Sequence, residues 1–389
     1  MIQRIACLPL LILLFSITKA QQSIPAEIDI KPFADNAGHW YSIYNSKNMI
    51  NASEGRPRYK PTDLKQVADN ILLFQKVNGG WPKNYDMFAV LTPEQKEKVA
   101  AQKNTLNTTF DNGTCYTQIR ALAIAYASVK EEAYKTAALK GLKYILEAQY
   151  ANGGWPQYYP LEKNYSRYIT FNDGGMTGIA DLLKNIAEKD PLYNFIDAGL
   201  RSKLETAFKK GIDCILNTQI VDNGTLTAWC QQYDEVTLQP AWARKFEPPG
   251  ICNGESVGIV FFLMSIKHPD ERVVAAVNAA MKWFEASKIY NTVVKTVKAE
   301  EMDTPFRVSK SDRVVETDST AAPIWTRFYE LKTHRPLFCN RDSKVVYSLA
   351  KVDRERRDGY AWYTYAPQKA LDAYAKWQKQ LTQNGTALK

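Results

Sequence analysis

The stretch Asn78-Gly79-Gly80-Trp81-Pro82 returns almost unchanged as Asn152-Gly153-Gly154-Trp155-Pro156. Each copy follows an apolar run that carries a glutamine near its end, Gln75 in the first and Gln149 in the second. A weaker third copy runs Ile215-Leu216-Asn217-Thr218-Gln219, then Asp222-Asn223-Gly224, with Trp229 after it. The glutamines are 74 and 70 residues apart (75 to 149, 149 to 219), too far for a thin solenoid repeat and suited to a pair of helices. A helix that stops at Gly-Gly uses the left-handed backbone that glycine adopts cheaply, and the proline after Trp prevents continuation. The repeat therefore predicts a ring of helical hairpins with its special loops gathered at one end.

Apolar residues recur at helical spacing over 62–77, 115–129, 132–148, 178–189, 200–218, 257–266, 271–288, 321–331 and 368–380. Short alternating or β-branched clusters at 293–297, 313–315, 345–347 and 360–363 read as strands. Residues 21–60, rich in Pro, Asn, Ser and Gly, read as an irregular entry segment. The expected architecture is mainly α, an (α/α) toroid of hairpins over 61–389 with a smaller irregular α+β portion packed on it.

Residues 1–20 read as a secretory signal: Arg4, an apolar run over 8–17, and Ala20 before Gln21. That run is too short to span a bilayer, so the expected product is exported, secreted or periplasmic, with no membrane anchor once the signal is gone. The formal charge of +9 becomes +7 when Arg4 and Lys19 leave. The excess suits an anionic substrate, and equally a solvated basic surface. No Lys/Arg-rich run or zinc-finger spacing points to nucleic acid. After cleavage five cysteines remain, an odd number without a CxxC pattern, and spacing alone leaves a Cys214–Cys230 bridge open. Nothing requires more than a monomer.

Asp111, in Thr108-Thr109-Phe110-Asp111-Asn112-Gly113, and Asp173, in Thr170-Phe171-Asn172-Asp173-Gly174-Gly175, each precede an expected helix. Both suit an N-cap. Both also suit a shared cleft holding a hard cation such as calcium, which takes oxygen ligands, or an inverting glycoside hydrolase's acid–base pair. Basic residues sit among aromatics and prolines: Arg244 and Lys245 between Trp242 and Phe246, Arg327 between Trp325 and Tyr329, Arg335 and Arg341 around Phe338. Aromatic-lined clefts hold sugars, and guanidinium forks bind carboxylates in pairs of hydrogen bonds. A non-catalytic sugar-binding protein would use the same groups. Gly254-Glu255-Ser256-Val257-Gly258 fits the nucleophile-elbow pattern, but the prolines before it do not read as a strand, so Ser256 is placed near a helix start. Three histidines, 39, 268 and 334, are too few and scattered for a His-based metal site or a Ser-His-Asp triad. P-loop and dinucleotide fingerprints are absent.

Taken together, residues 78–84, Asp111-Asn112, 169–174, 240–249, 254–260 and 325–330 resemble the pectate lyases of polysaccharide lyase family 10, over about 62–367. The resemblance implies an (α/α) toroid and calcium-dependent anti β-elimination on polygalacturonate. It implies Asp111 and Asp173 as calcium-site and catalytic carboxylates and Arg244 as the base. Arg327 and Arg341 would grip the substrate carboxylate, with Lys83, Arg335 and Glu255 in matching motifs. Two departures stand out: Lys245 follows Arg244 where a small neutral residue is expected, and Gly175 takes the place of an alanine. An arginine base implies an alkaline optimum, with neighbouring cations lowering its pKa.

Overall fold

The computed structural model describes residues 25–42, 50 and 57–383; the signal segment read over 1–20 lies outside them. The chain is mostly helical. Its α-helices are α1 (Ala34–Ser42), α2 (Leu64–Phe74), α3 (Pro93–Ala101), α4 (Tyr116–Val129), α5 (Glu132–Ala148), α6 (Gly175–Ala187), α7 (Ala198–Asn217), α8 (Asn253–Met264), α9 (Glu271–Ala286), α10 (Arg354–Gly359) and α11 (Ala366–Gln383). Eight of the nine expected helices form, shifted by a few residues at most ends. Two rows emerge from their packing. One runs α2–α5–α7–α9 and the other α4–α6–α8–α11, with hairpins α4–α5, α6–α7 and α8–α9 joining them.

The repeated glutamines tie the first row together. Gln75 Nε2 donates to Gly79 O and, across the row, to Ala137 O of α5, both at 2.9 Å. Gln149 makes the same pair to Gly153 O (3.0 Å) and to Ala207 O of α7 (2.9 Å). Gln219 reaches Thr227 O (2.8 Å) and Ala276 O of α9 (2.9 Å). The tryptophans repeat as well: Trp81, Trp155 and Trp229 donate their indole N–H to Ile71 O, Ile145 O and Ile215 O at 2.8, 2.9 and 2.7 Å. Trp325 does the same to Phe284 O at the end of α9, at 2.8 Å. It marks a fourth copy that has no Gly-Gly to announce it. The glycines are required twice over. Gly79 and Gly153 have φ of +91° and +93°, and a Cβ there would stand 2.5 Å from Lys140 O and 2.0 Å from Lys210 O.

Beside the rows sits an antiparallel sheet in the order Val345–Val346, Pro336–Cys339, Phe328–Tyr329, Ile251–Cys252. Trp325–Thr326 pairs separately with Tyr363–Thr364, and Ile169–Thr170 with Gln232–Tyr233. The expected helix over 321–331 is therefore wrong: the segment is extended. Pro323 interrupts it, and Trp, Thr, Phe and Tyr pack well on a pleated surface, with Trp325, Thr326, Phe328 and Tyr329 all buried. The strands expected at 293–297 and 313–315 are the root of a longer hairpin, Thr292–Thr304 with Arg307–Thr317. A second small core, including Phe246, Phe328, Phe338, Tyr360 and Trp362, lies under the sheet. Residues 21–60 are less irregular than expected, since α1 forms within them. All five cysteines from Cys115 onward are buried and free, so the Cys214–Cys230 bridge is not made. No helix among the described residues is long and apolar enough to cross a membrane.

Candidate active site

The starts of α4, α6 and α8 bring three loops together at one end of the second row. Asp111 precedes α4 in a short turn, Asp173 precedes α6, and Glu255 lies in the first turn of α8. Neither aspartate caps its helix: the turn after Asp111 runs through Asn112 at φ 51°, and Asp173 itself sits at φ 49°. The N-cap positions fall instead on Cys115 and Gly174, so neither carboxylate is spent on capping.

Asp111 is buried. Its Oδ2 is paired with the Lys83 ammonium, and its Oδ1 has no hydrogen-bond partner. Lys83 is held well above its ordinary pKa: burial pulls it down, but the Asp111 charge and the Tyr158 hydroxyl outweigh that. Asp173 accepts a hydrogen bond from the Asn172 amide. Its carboxyl is pushed up to about 7, first by loss of hydration on its protein side and then by the negative charges of Asp111 and Glu255, against the pull of Arg327 and Arg244. The residue as a whole is nonetheless exposed, so solvent screens much of that effect.

Arg327 is fixed by its backbone between the two strand pairs. Its N–H donates to Trp362 O at 2.7 Å and its carbonyl accepts from Asn253 N at 2.8 Å. The guanidinium pairs with Glu255, reaches Asn172 Oδ1 at 3.3 Å and lies 4.8 Å from the Tyr360 ring centre. Its Nε is buried without a partner. Arg244 is gripped by Glu247, which accepts from the Arg244 backbone N–H (3.0 Å) and Nε (2.8 Å) and pairs with a terminal nitrogen. The Tyr360 hydroxyl donates to the same carboxylate at 2.8 Å. Burial lowers the pKa of Arg244, but the Glu247 hydrogen bonds and charge more than reverse it. The expected crowding by cations is thus answered by a carboxylate. Arg341 shares Glu355 with Arg356 (Nε contacts of 2.8 and 3.0 Å) and stacks between Phe246 and the hairpin-tip Phe306. Those two arginines outweigh burial and hold the Glu355 carboxyl down to about 2.

The structure thus brings together Lys83, Asp111, Asp173, Arg244 and Arg327, with Arg341 beside them on Phe246. Arg335 is elsewhere, stacked 3.7 Å from the Tyr347 ring centre near Glu330. Ser256 is fully buried: its hydroxyl donates to Cys252 O (2.7 Å) and accepts from Trp229 N (2.9 Å). Contrary to expectation a short strand, Ile251–Cys252, does precede it, yet the hydroxyl faces the core and no nucleophile is presented. Sequence reasoning did not assign the acidic partners Glu247 and Glu355, although Glu247 stands at i+3 from Arg244. Tyr360, over whose ring both Arg244 and Arg327 lie, was read only as part of a strand over 360–363, whereas the strand is Tyr363–Thr364.

Among the described residues no group of three or more His, Cys, Asp or Glu side chains is arranged to hold a metal. Asp111 and Asp173 supply two carboxylates, and the partnerless buried Oδ1 of Asp111 is an acceptor awaiting a donor or a cation. A hard cation there fits if neighbouring amide or carbonyl oxygens, water or a bound carboxylate complete its shell.

A family model described as pectic acid lyase matches residues 75–371. No curated protein matches the sequence. Solved structures similar to the chain include a family 10 polysaccharide lyase from Cellvibrio cellulosa, at 31% identity and a TM-score of 0.69, and an aspartate-to-alanine mutant of a family 10 lyase from that organism in complex with trigalacturonic acid, at 30% identity and 0.68. Each comparison covers 81% of this chain and 92% of the other. The match spans the carboxylates, the arginines and the loops that carry them, and the chain belongs to the pectic acid lyase family, the family 10 polysaccharide lyases, as a pectate lyase.

Proposed function

We propose that the protein is an exported enzyme that cleaves polygalacturonate by calcium-dependent anti β-elimination, giving 4,5-unsaturated oligogalacturonides. The observation that carries this reading is the pairing of two carboxylates, one with a buried free oxygen, against three arginines and a lysine that suit a polyanionic chain. Family membership and the trigalacturonic acid complex of a relative support the substrate. The double row of helices is read as part of an (α/α) toroid, with the site at its loop end.

Asp111 and Asp173 would hold the calcium ion, which when bound supplies positive charge near the uronate carboxylate. Arg327, anchored on both strand pairs, and Arg341, stacked between two phenylalanines, orient that carboxylate and stabilise the charge that builds on it as the C5 proton leaves. Lys83 takes one oxygen of Asp111 and so fixes which of the two is free. Arg244 is assigned the base, taking the C5 proton on the face opposite the departing O4. Its pairing with Glu247 favours the protonated form, so the neutral guanidine that can accept a proton is reached only at alkaline pH. Arg335 is given no part in this scheme.

Ultraviolet absorbance of the unsaturated product on polygalacturonate, at alkaline pH with calcium and then with EDTA, tests the proposal. A rise that the chelator abolishes is expected. New reducing ends without absorbance would point to a hydrolase built on Asp111 and Asp173, and neither signal would leave a sugar-binding protein or a lyase for a different uronate.

A further inference from the structure

The family match begins at Gln75, yet a residue well before it is built into the site. Asn36 of α1 is 2% exposed. Its Oδ1 accepts from the Asn84 backbone N–H at 2.6 Å. Its Nδ2 donates to Asn112 O at 2.6 Å and to Thr114 Oγ1 at 3.3 Å. Asn112 Nδ2 closes the circuit by donating to Asn84 Oδ1 at 3.0 Å. Asn84 directly follows Lys83 and Asn112 directly follows Asp111, the two members of the buried ion pair. Both asparagines hold left-handed backbone, φ 64° and 51°, a conformation that must be imposed by its surroundings. The turn before α1 adds a backbone contact, since Pro32 O lies 3.0 Å from where a Cβ on Gly113 would stand.

We propose that Asn36 is a positioning residue for the lyase reaction. It clamps the Lys83 and Asp111 turns onto each other, so that Lys83 takes one oxygen of Asp111 and leaves Oδ1 free. The inference rests on the site role given to Asp111 above. The position needs an acceptor and a donor on one short side chain. Aspartate keeps the acceptor for Asn84 N–H but sets a negative oxygen against Asn112 O, and alanine supplies neither. A longer glutamine cannot make three contacts at these distances.

The test measures kcat and KM on polygalacturonate, calcium affinity by calorimetry and melting temperature for Asn36→Asp, Asn36→Ala and Asp111→Ala. Removing a group that orients a ligand typically costs about 10- to 100-fold in metal affinity or activity. The Asn36 variants should lose that much in kcat and in calcium affinity with KM little changed, because the arginine grip on the chain is untouched. Wild-type kcat and calcium affinity in both Asn36 variants, beside an inactive Asp111→Ala, overturns the proposal and leaves the site reading standing. An active Asp111→Ala overturns the site reading and the proposal with it. If those two Asn36 variants fail to fold, Asn36→Gln decides the matter. Glutamine keeps the amide but carries it one methylene away from Asn84 N–H and Asn112 O, so reduced kcat at an unchanged melting temperature supports the clamp and wild-type kcat refutes it.

Discussion

Arg244 and Glu247 share an ion pair but not an environment: the arginine side chain is 44% exposed and the glutamate 2%. That asymmetry predicts which half of the pair the fold can spare. Arg244→Ala leaves a buried carboxylate whose remaining donors are the backbone N–H of residue 244 and the Tyr360 hydroxyl. Stripping the cation from a buried pair costs about 3–5 kcal/mol, and two surviving hydrogen bonds place this case near the lower figure, about 3 kcal/mol. Glu247→Gln removes the buried charge, keeps an oxygen for Tyr360 and leaves an arginine that water already solvates, so about 1 kcal/mol is expected. Urea unfolding followed by tryptophan fluorescence should therefore separate the two variants by about 2 kcal/mol, with Arg244→Ala the less stable. Equal losses, or the reverse order, would refute the argument from burial.

The same pair carries a kinetic test. Glu247→Gln withdraws what holds Arg244 protonated, and each unit of pKa lost raises the neutral fraction about tenfold at a given pH below it. If Arg244 is the base, the alkaline limb of kcat moves to lower pH in this variant. A limb that stays in place while kcat falls would make Arg244 a charge-stabilising clamp and send the search for the base elsewhere.

The remaining predictions concern the repeat, the serine and the carboxylates. Gln149→Leu deletes two hydrogen bonds and takes the side-chain donor from Gly153 O, while Ala207 O stays within the α7 helix, which should lower stability by about 1–3 kcal/mol in urea melts; a loss under about 0.5 kcal/mol would show that the glutamine ties are ornamental. Ser256→Ala should keep full lyase activity while costing about 1–2 kcal/mol, because Trp229 N–H loses its acceptor; loss of turnover in a folded variant would reopen the nucleophile reading. Asp173 has its folded pKa raised to about 7, above the unfolded value of about 3.9. A raised carboxyl binds its proton more tightly in the folded state, so its stabilising share is complete below the unfolded pKa and lost as pH rises through about 7. The melting temperature of calcium-free protein should fall across that window, and Asp173→Asn should flatten the fall; parallel profiles for the two proteins would contradict the assignment.

The helical rows were legible because their signal is local and repeated. Gln75, Gln149 and Gln219 each close a helix and reach the next one, so a spacing visible along the chain becomes a spacing in space. The fourth copy escaped because only its tryptophan survives: Trp325 keeps the indole bond to Phe284 O, but the segment around it trades helix for strand. There the apolar spacing over 321–331 suited either period, and pairing with Tyr363–Thr364 and with the Ile251–Cys252 strand, 37 and more residues away, settled it. Pro323 spoke against a helix and Trp325 and Phe328 spoke for a strand, and both signals were outvoted by periodicity.

The site divides along the same line. Charged residues among aromatics and glycines stand out in sequence, and Asp111, Asp173, Arg244 and Arg327 do meet. What the sequence hid is what sets their behaviour. Asp111 and Asp173 lie 62 residues apart (173 − 111), and the Asp173 carboxyl is raised by the hydration it loses in the fold and then by Asp111 and Glu255, which the starts of α4, α6 and α8 put next to it. Arg244 was expected to be depressed by other cations; a glutamate three residues on raises it instead. A catalytic group's identity is a property of one position, whereas its pKa belongs to every charge the fold gathers around it. Here Glu247 bears on Arg244 and Glu255 on Asp173, so under the proposed mechanism these acidic partners are where a change of pH profile is to be sought.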